Sequence, residues 1–355
     1  MPSNDLVTAG GFVYAGGMTA EGAARGDIAA ETRRIIERAQ SALEASGSSL
    51  AQVVSAMVYL RSASDFAAMN EVYKTFWPKD PPTRTTVIVE LRAPDALVEM
   101  SMVAALAGAE RAVVHPPGWM LSPSPYSYAI KSGDTLFLSG LVSRNGRDNS
   151  VVTGDVATET RAVMDIAGEI LSAAGMTHAN IVSARVYLRD AASFQQMNDA
   201  YRGYFKTAPP ARATVQTGLA SNQYSVEITF VASSAARDVI GDGRPPDPNS
   251  STGIRAGNRI YLSGALGNTA TNKGDVAAQA RETLAKLGSA LTAAGASPAD
   301  VVESLIYVTD LRMVADVDHE YRAFFAGHAP ALTTVRSGLM AGDALVEIMM
   351  TAVTR

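Results

Sequence analysis

The sequence predicts an α+β protein made of three tandem domains of one kind, and three observations carry that prediction. A strand entered through prolines and bearing an arginine precedes a strand bearing one glutamate. It occurs as Pro81-Pro82-Thr83-Arg84 with Val98-Glu99-Met100, as Pro209-Pro210-Ala211-Arg212 with Val226-Glu227-Ile228, and as Ala329-Pro330-Ala331-Leu332 with Val346-Glu347-Ile348. A Gly-Asp pair opening a helical pattern recurs at Gly26-Asp27, Gly154-Asp155 and Gly274-Asp275. The two spacings, 128 and then 120 residues, also carry Glu99 to Glu227 and Glu227 to Glu347. Solenoid periods run to about 50 residues, so each unit here is a small domain.

Within a unit the first elements are strands. Phe12–Gly17 matches Leu136–Gly140 and Ile260–Gly264, and the closing glycine suggests a bulge or a close backbone approach. A long helix follows, capped by Asp27, Asp155 or Asp275 and stopped by Gly47, Gly175 or Gly295. In the first unit Ile28, Ile35, Ile36, Ala39 and Leu43 give that helix one apolar face. The next strand, Val53–Leu60, Ile181–Leu188 or Val301–Val308, is apolar on both faces and therefore central to a sheet. A second helix carries Phe66, Met69, Tyr73 and Trp77, echoed by Phe194, Met197, Tyr201 and Phe205, a stripe read first as core. The arginine and glutamate strands close the unit. Two helices then cover one face of a mixed sheet, and packing three sheets together inside the chain covers the other. The units run 1–108, 109–236 and 237–355. The connections, residues 107–123 with Pro116-Pro117 and residues 233–251 with Pro245-Pro246, read as stiff linkers.

Composition narrows the function. Apolar residues make up 47% and charged residues 18%, which suits compact domains with substantial cores. The net charge of −5 is spread along the chain with no basic stripe, so neither nucleic acid nor an anionic membrane is an expected partner. There is no cysteine, which excludes disulfides and thiolate chemistry. No apolar run approaches a membrane span, and cytoplasmic is the default location.

Arg212, with Thr214 on the same strand face, offers a planar fork suited to a carboxylate. Glu227 stands alone between Val226 and Ile228 and points opposite to those two; facing a cleft, it could position a water or pass a proton. The plainer alternative is that arginine and glutamate pair with each other or with solvent. His115, His178, His319 and His328 lack ligand spacing, and there is no Walker loop, dinucleotide fingerprint or nucleophile elbow. Ser139 and Ser263, with no histidine in the repeat pattern, are poor nucleophiles. A site without metal or cofactor is expected.

Pro125-Tyr126-Ser127, Leu138-Ser139-Gly140, Gly154-Asp155, Asn198-x-x-Tyr201, Pro210-Ala211-Arg212-Ala213-Thr214 and Val226-Glu227-Ile228 together resemble the RidA (YjgF/YER057c/UK114) family. The resemblance extends over all three units. It implies a chorismate-mutase-like fold, with three units forming an intramolecular pseudo-trimer that acts as a monomer and has clefts between units. It also implies hydrolysis of reactive 2-enamines and 2-imines, of the 2-aminoacrylate type, to 2-keto acids and ammonia. On that basis Glu227 and Glu99 are the catalytic candidates. The substrate-binding candidates are Arg212, Arg84, Tyr126, Thr214, Thr86, Asn198, Phe205 and Gly140, with a small 2-imino or 2-keto acid as ligand. The unit 109–236 holds the fullest motif, so the first reading sets Arg212, Glu227 and Tyr126 together; if tyrosine and arginine come from neighbouring units, Tyr126 belongs instead to the cleft of Arg84. The tyrosine position is Ser3 and Ser250 in the other units, and the third arginine is Leu332. Arg336, roughly 13 Å further along that strand, is not expected to replace it. The alternative function is a non-catalytic carboxylate-binding or scaffold protein with decayed sites.

Overall fold

In the computed structural model, residues 6–20, 25–241 and 247–354 are described; Ser3 and the Pro245-Pro246 pair lie outside them. The first repeat holds β1 (Leu6–Ala9), β2 (Phe12–Thr19), α1 (Ile28–Ala45), β3 (Val53–Leu60), α2 (Phe66–Phe76), β4 (Thr83–Ile88), β5 (Glu90–Leu91) and β6 (Val98–Ala105). The second holds β7 (Ala112–Val114), β8 (Ala129–Ser132), β9 (Thr135–Leu138), α3 (Val156–Ala173), β10 (Ile181–Leu188), α4 (Phe194–Tyr201), β11 (Ala211–Gln216), β12 (Gly218–Leu219) and β13 (Val226–Ser233). The third holds β14 (Arg237–Ile240), β15 (Gly253–Ala256), β16 (Arg259–Leu266), α5 (Val276–Ala293), β17 (Val301–Val308), α6 (Val314–Phe325), β18 (Ala331–Arg336), β19 (Gly338–Leu339) and β20 (Val346–Val353). Each repeat is thus a mixed sheet with two helices, as its residue pattern predicts.

The helix signals act as read. Asp27 accepts hydrogen bonds from the Ala29 and Ala30 amides, Asp155 from Thr158 and Asp275 from Ala278. Gly47, Gly175 and Gly295 take positive φ just past the helix ends, where a side chain would strain the backbone. A further tie was not evident from sequence. The buried carboxylate of Glu31 in α1 accepts from the Leu97 amide, Glu159 in α3 from Ser225, and the Gln279 side-chain oxygen in α5 from Leu345. Each fixes the helix start to the turn that feeds the glutamate strand.

The linkers are less passive than expected. Ala112–Val114 and Arg237–Ile240 are strands that extend the sheets of the repeats they enter, pairing with β8 and β15. Proline only bounds them, and the intervening residues keep amides free for a ladder.

Three short strands knit the repeats into a cycle. β4 of the first repeat pairs with β12 of the second, β11 of the second with β19 of the third, and β18 of the third with β5 of the first. The helix-free faces meet around an apolar cluster that includes Met57, Tyr59, Tyr187, Tyr307, Val87, Val215 and Val335. Burying those faces against one another removes apolar area from water that a lone repeat would expose. Beside this cluster Arg185 and Glu303 form a largely buried ion pair at 3.3 Å across two repeats. The first repeat has Met57 and Ser55 at the corresponding places.

Candidate active site

The arginine strand of each repeat faces the glutamate strand of the next, so three clefts form between repeats. They are not equivalent.

In the first cleft Arg84, second residue of β4, is clamped through its backbone. Its amide donates to the Ser139 hydroxyl at 2.9 Å, that hydroxyl donates to the Ser127 carbonyl at 2.7 Å, and the Gly140 amide donates to the Arg84 carbonyl at 3.1 Å. The guanidinium carbon lies 4.8 Å from the Tyr73 ring centre and 5.6 Å from that of Phe66, the geometry of cation–π contact. Arg84 is buried, yet its Nη1 has no hydrogen-bond partner. Burial lowers its pKa, against the opposing influence of Tyr73, Tyr126 and Glu227. A buried cation with an open donor is held ready for an anion.

Glu227 of the second repeat reaches the same cleft. Burial pushes its carboxyl up to about 8, opposed by the Thr86 backbone N–H and by Arg84. Its carboxyl passes so close to Gly140 that a Cβ there would lie 2.9 Å from the Glu227 Cδ. A side chain at the strand end would displace that carboxyl. Tyr126 completes the wall; burial raises its pKa, against the Ser122 hydroxyl and the Arg144 and Arg84 charges. The space, about 140 Å³, is also bordered by Phe66, Thr86, Val142, Leu219 and Tyr224.

The second cleft repeats the frame with weaker furnishing. The Arg212 amide donates to the Ser263 hydroxyl at 2.8 Å, its guanidinium sits 4.9 Å from the Tyr201 ring centre, and its Nη1 is likewise unpartnered. Its glutamate is Glu347, pushed up to about 8 by burial against Arg212 and the Thr214 N–H. Ser250 stands where the first cleft has Tyr126, and the carboxylate of Asp247 lies within the field of Arg212.

The third cleft lacks the clamp. Leu332 and Thr334 face Glu99, whose pKa burial raises to about 7 against the charge of Arg92. Gly16 replaces the serine, and a Cβ there would lie 2.7 Å from the Leu332 nitrogen. Arg92 is tied to the buried Asp318 at 2.7 Å. Arg336 points away, toward Glu90 and the Thr309 carbonyl.

Most of the residues singled out from sequence therefore lie in clefts, and the structure follows the neighbouring-unit alternative, with Tyr126 and Glu227 beside Arg84 and apart from Arg212. Arg84, Thr86, Gly140, Tyr126 and Glu227 come together; Arg212 and Thr214 join Glu347; Glu99 joins Leu332. The strand register explains why. On β10, Arg212 stands opposite Ala184 and Glu227 opposite Tyr187. Three residues of offset place them on opposite faces of one sheet. Asn198 is buried on α4 with its Oδ1 unpartnered, and Phe205 packs on Tyr201 at 4.9 Å in the helical layer; neither borders the first cleft. The serines were missed as positioning groups, and Arg144 and Tyr224 were missed as members of the first cleft. Among the described residues no cluster of His, Asp or Glu could hold a metal. His115, His178 and His328 instead bond the carbonyls of Trp119, Met164 and Val301.

Comparison with known proteins agrees with the repeats. A family model described as endoribonuclease L-PSP matches residues 2–106, 120–234 and 244–354. A RutC family protein of Sulfurisphaera tokodaii is 40% identical over 109 residues, 31% of this chain and 87% of that protein. A 2-iminobutanoate/2-iminopropanoate deaminase of Bos taurus is 37% identical over 108 residues, 30% of this chain and 79% of that protein. A solved chorismatase superposes with a TM-score of 0.57 over 85% of this chain and 93% of its own at 16% identity, a likeness of fold alone.

Proposed function

Because the chain belongs to the RidA (endoribonuclease L-PSP) family, with its unit present three times, we propose that the Arg84–Glu227 cleft hydrolyses 2-imino acids to 2-keto acids and ammonia. The observation that carries this reading is the convergence, from two repeats, of a buried guanidinium with an unpartnered Nη1 and a buried glutamate on one small space.

Arg84 takes the substrate carboxylate in two parallel hydrogen bonds, which places the imine carbon against the Gly140–Glu227 wall. With its carboxyl pushed up to about 8, Glu227 is mostly protonated at neutral pH in the empty cleft. It gives that proton to the imine nitrogen, making the carbon more electrophilic. Water adds to the carbon and returns a proton to the carboxylate. The resulting carbinolamine receives this proton on nitrogen; the C–N bond breaks, ammonia leaves, and the hydroxyl proton passes to the Glu227 carboxylate as the C=O bond forms, restoring the acid. One water is consumed for each imine.

The test is to generate 2-iminopropanoate or 2-iminobutanoate in situ and follow its decay with the protein, with Arg84→Ala and with Glu227→Gln. The wild type should accelerate decay, and each substitution should cut kcat/KM by about 10²-fold or more. No acceleration by the wild type would leave a carboxylate-binding protein instead.

A further inference from the structure

The first cleft contains a second guanidinium that the proposed chemistry does not use. Arg144 borders it, and Arg84, Arg144 and Glu227 are its charged members. The Arg144 Nε donates to the Tyr224 hydroxyl at 3.1 Å, and among the described residues the side chain meets no carboxylate. With Glu227 protonated, the cleft holds two cations and no anion. A substrate with one carboxylate leaves one of them unmatched.

This arrangement is peculiar to one cleft. Gly140 and Gly154 are 14 positions apart, whereas Gly17 and Gly26 are 9 apart and Gly264 and Gly274 are 10 apart. Arg144 rides on that extra length, held by its bridge to Val151. Its anchor Tyr224 is buried, and the equivalent places in the other repeats are the buried alanines Ala96 and Ala344. Four places after the strand-end glycine the third repeat has Asn268, which bonds Asp343 at 2.8 Å. Duplication alone would have copied a neutral feature to all three repeats. Loop, arginine and anchoring tyrosine instead coincide where Tyr126 and Arg84 also stand.

We infer that this cleft selects 2-imino acids bearing a second carboxylate, Arg84 holding the one beside the imine and Arg144 the distal one. The inference rests on the hydrolytic reading for its substrate class, but the charge pairing is testable by binding alone. Hydrolysis proceeds as above, with water replacing =NH by =O and both carboxylates unchanged. Tyr224 is a positioning residue, acting through the arginine.

The experiment has two arms. In the first, 2-iminoglutarate and 2-iminopropanoate are generated in situ by an amino-acid oxidase and their hydrolysis compared. The ratio of kcat/KM, dicarboxylic over monocarboxylic, should exceed one and fall about 10- to 100-fold in Arg144→Gln. Arg144→Lys should restore part of it, and Tyr224→Phe should lower it less than Arg144→Gln does. In the second arm, calorimetry compares 2-oxoglutarate with 2-oxobutyrate. The dicarboxylate should bind more tightly, and Arg144→Gln should remove the difference. Hydrolysis of both imines with no change of ratio in Arg144→Gln overturns the inference and leaves the hydrolase standing. Absence of hydrolysis together with an Arg144-dependent preference for 2-oxoglutarate overturns the hydrolase and upholds the charge pairing. Equal binding of the two keto acids overturns the pairing.

Discussion

A single methyl group at Gly140 should distinguish the three clefts. The added Cβ would overlap the Glu227 Oε1 and stand 2.9 Å from both the Glu227 Cδ and the Thr85 Cγ2. Non-bonded carbons rest at about 3.5–4.0 Å, and the oxygen stands closer still, so the carboxyl must retreat by at least about 1 Å. A misplacement of about that size costs on the order of 10²-fold in rate. Gly140→Ala should therefore lower kcat by about 10²-fold while circular dichroism stays that of the wild type. The same methyl at Gly17 or Gly264 would lie 2.8 Å from the Cδ of Glu99 or Glu347, an equal insult to the other clefts. Turnover of 2-iminobutanoate in those two variants should stay within about 2-fold of wild type. An equal loss in Gly264→Ala would show that the Arg212 cleft also turns over. Full activity in Gly140→Ala would remove Glu227 from the chemistry.

Three further outcomes follow from the same geometry. Glu99, Glu227 and Glu347 are raised from an ordinary 4.5 to about 7, 8 and 8 by burial, so their contribution to stability is full below about 4.5 and is lost as pH rises through about 8; thermal melts should show a smaller fall between pH 5 and pH 9 when all three are glutamine. Glu303→Ala should cost about 3 kcal/mol in urea unfolding by leaving Arg185 unpaired, and adding Arg185→Met, the residue of the first repeat, should recover most of it; a single-variant loss below about 1 kcal/mol would mean the pair is effectively solvated. Asp247→Asn should tighten 2-oxobutyrate at the Arg212 cleft by relieving a competing carboxylate, which calorimetry would read as a second binding event absent from the wild type.

The repeat architecture was legible because proline, capping aspartate and terminal glycine act locally, and each leaves its mark at a fixed offset. The linker strands were not. Ala112–Val114 and Arg237–Ile240 take their conformation from the edges they join, and a sheet edge cannot be seen in three or four residues. The partners in each cleft stayed open because nothing in the sequence says which units face each other, and the first reading set residues of one unit together. The pleat sets Arg212 and Glu227 on opposite faces, so their partners had to come from neighbouring repeats. One signal for the direction was present. Ser139 and Ser263 occur in the repeats following an arginine, and Gly16 in the repeat that meets Leu332. Reading it required knowing that the serine holds the neighbour's arginine backbone. Arg144 gave no such sign, since an isolated arginine in a polar loop looks like any solvated one.

The cyclic pairing of β4 with β12, β11 with β19 and β18 with β5 has a consequence for how such a chain can vary. In a ring of identical subunits every substitution strikes all the interfaces at once, so a change that spoils one cleft spoils all. Here each junction is encoded by its own stretch of gene. Leu332 could displace an arginine, Asp247 could approach a second, and a longer loop could be fitted beside the third, each without touching the others. One junction could keep an ancestral task while the remaining two served as scaffold or drifted toward new ligands.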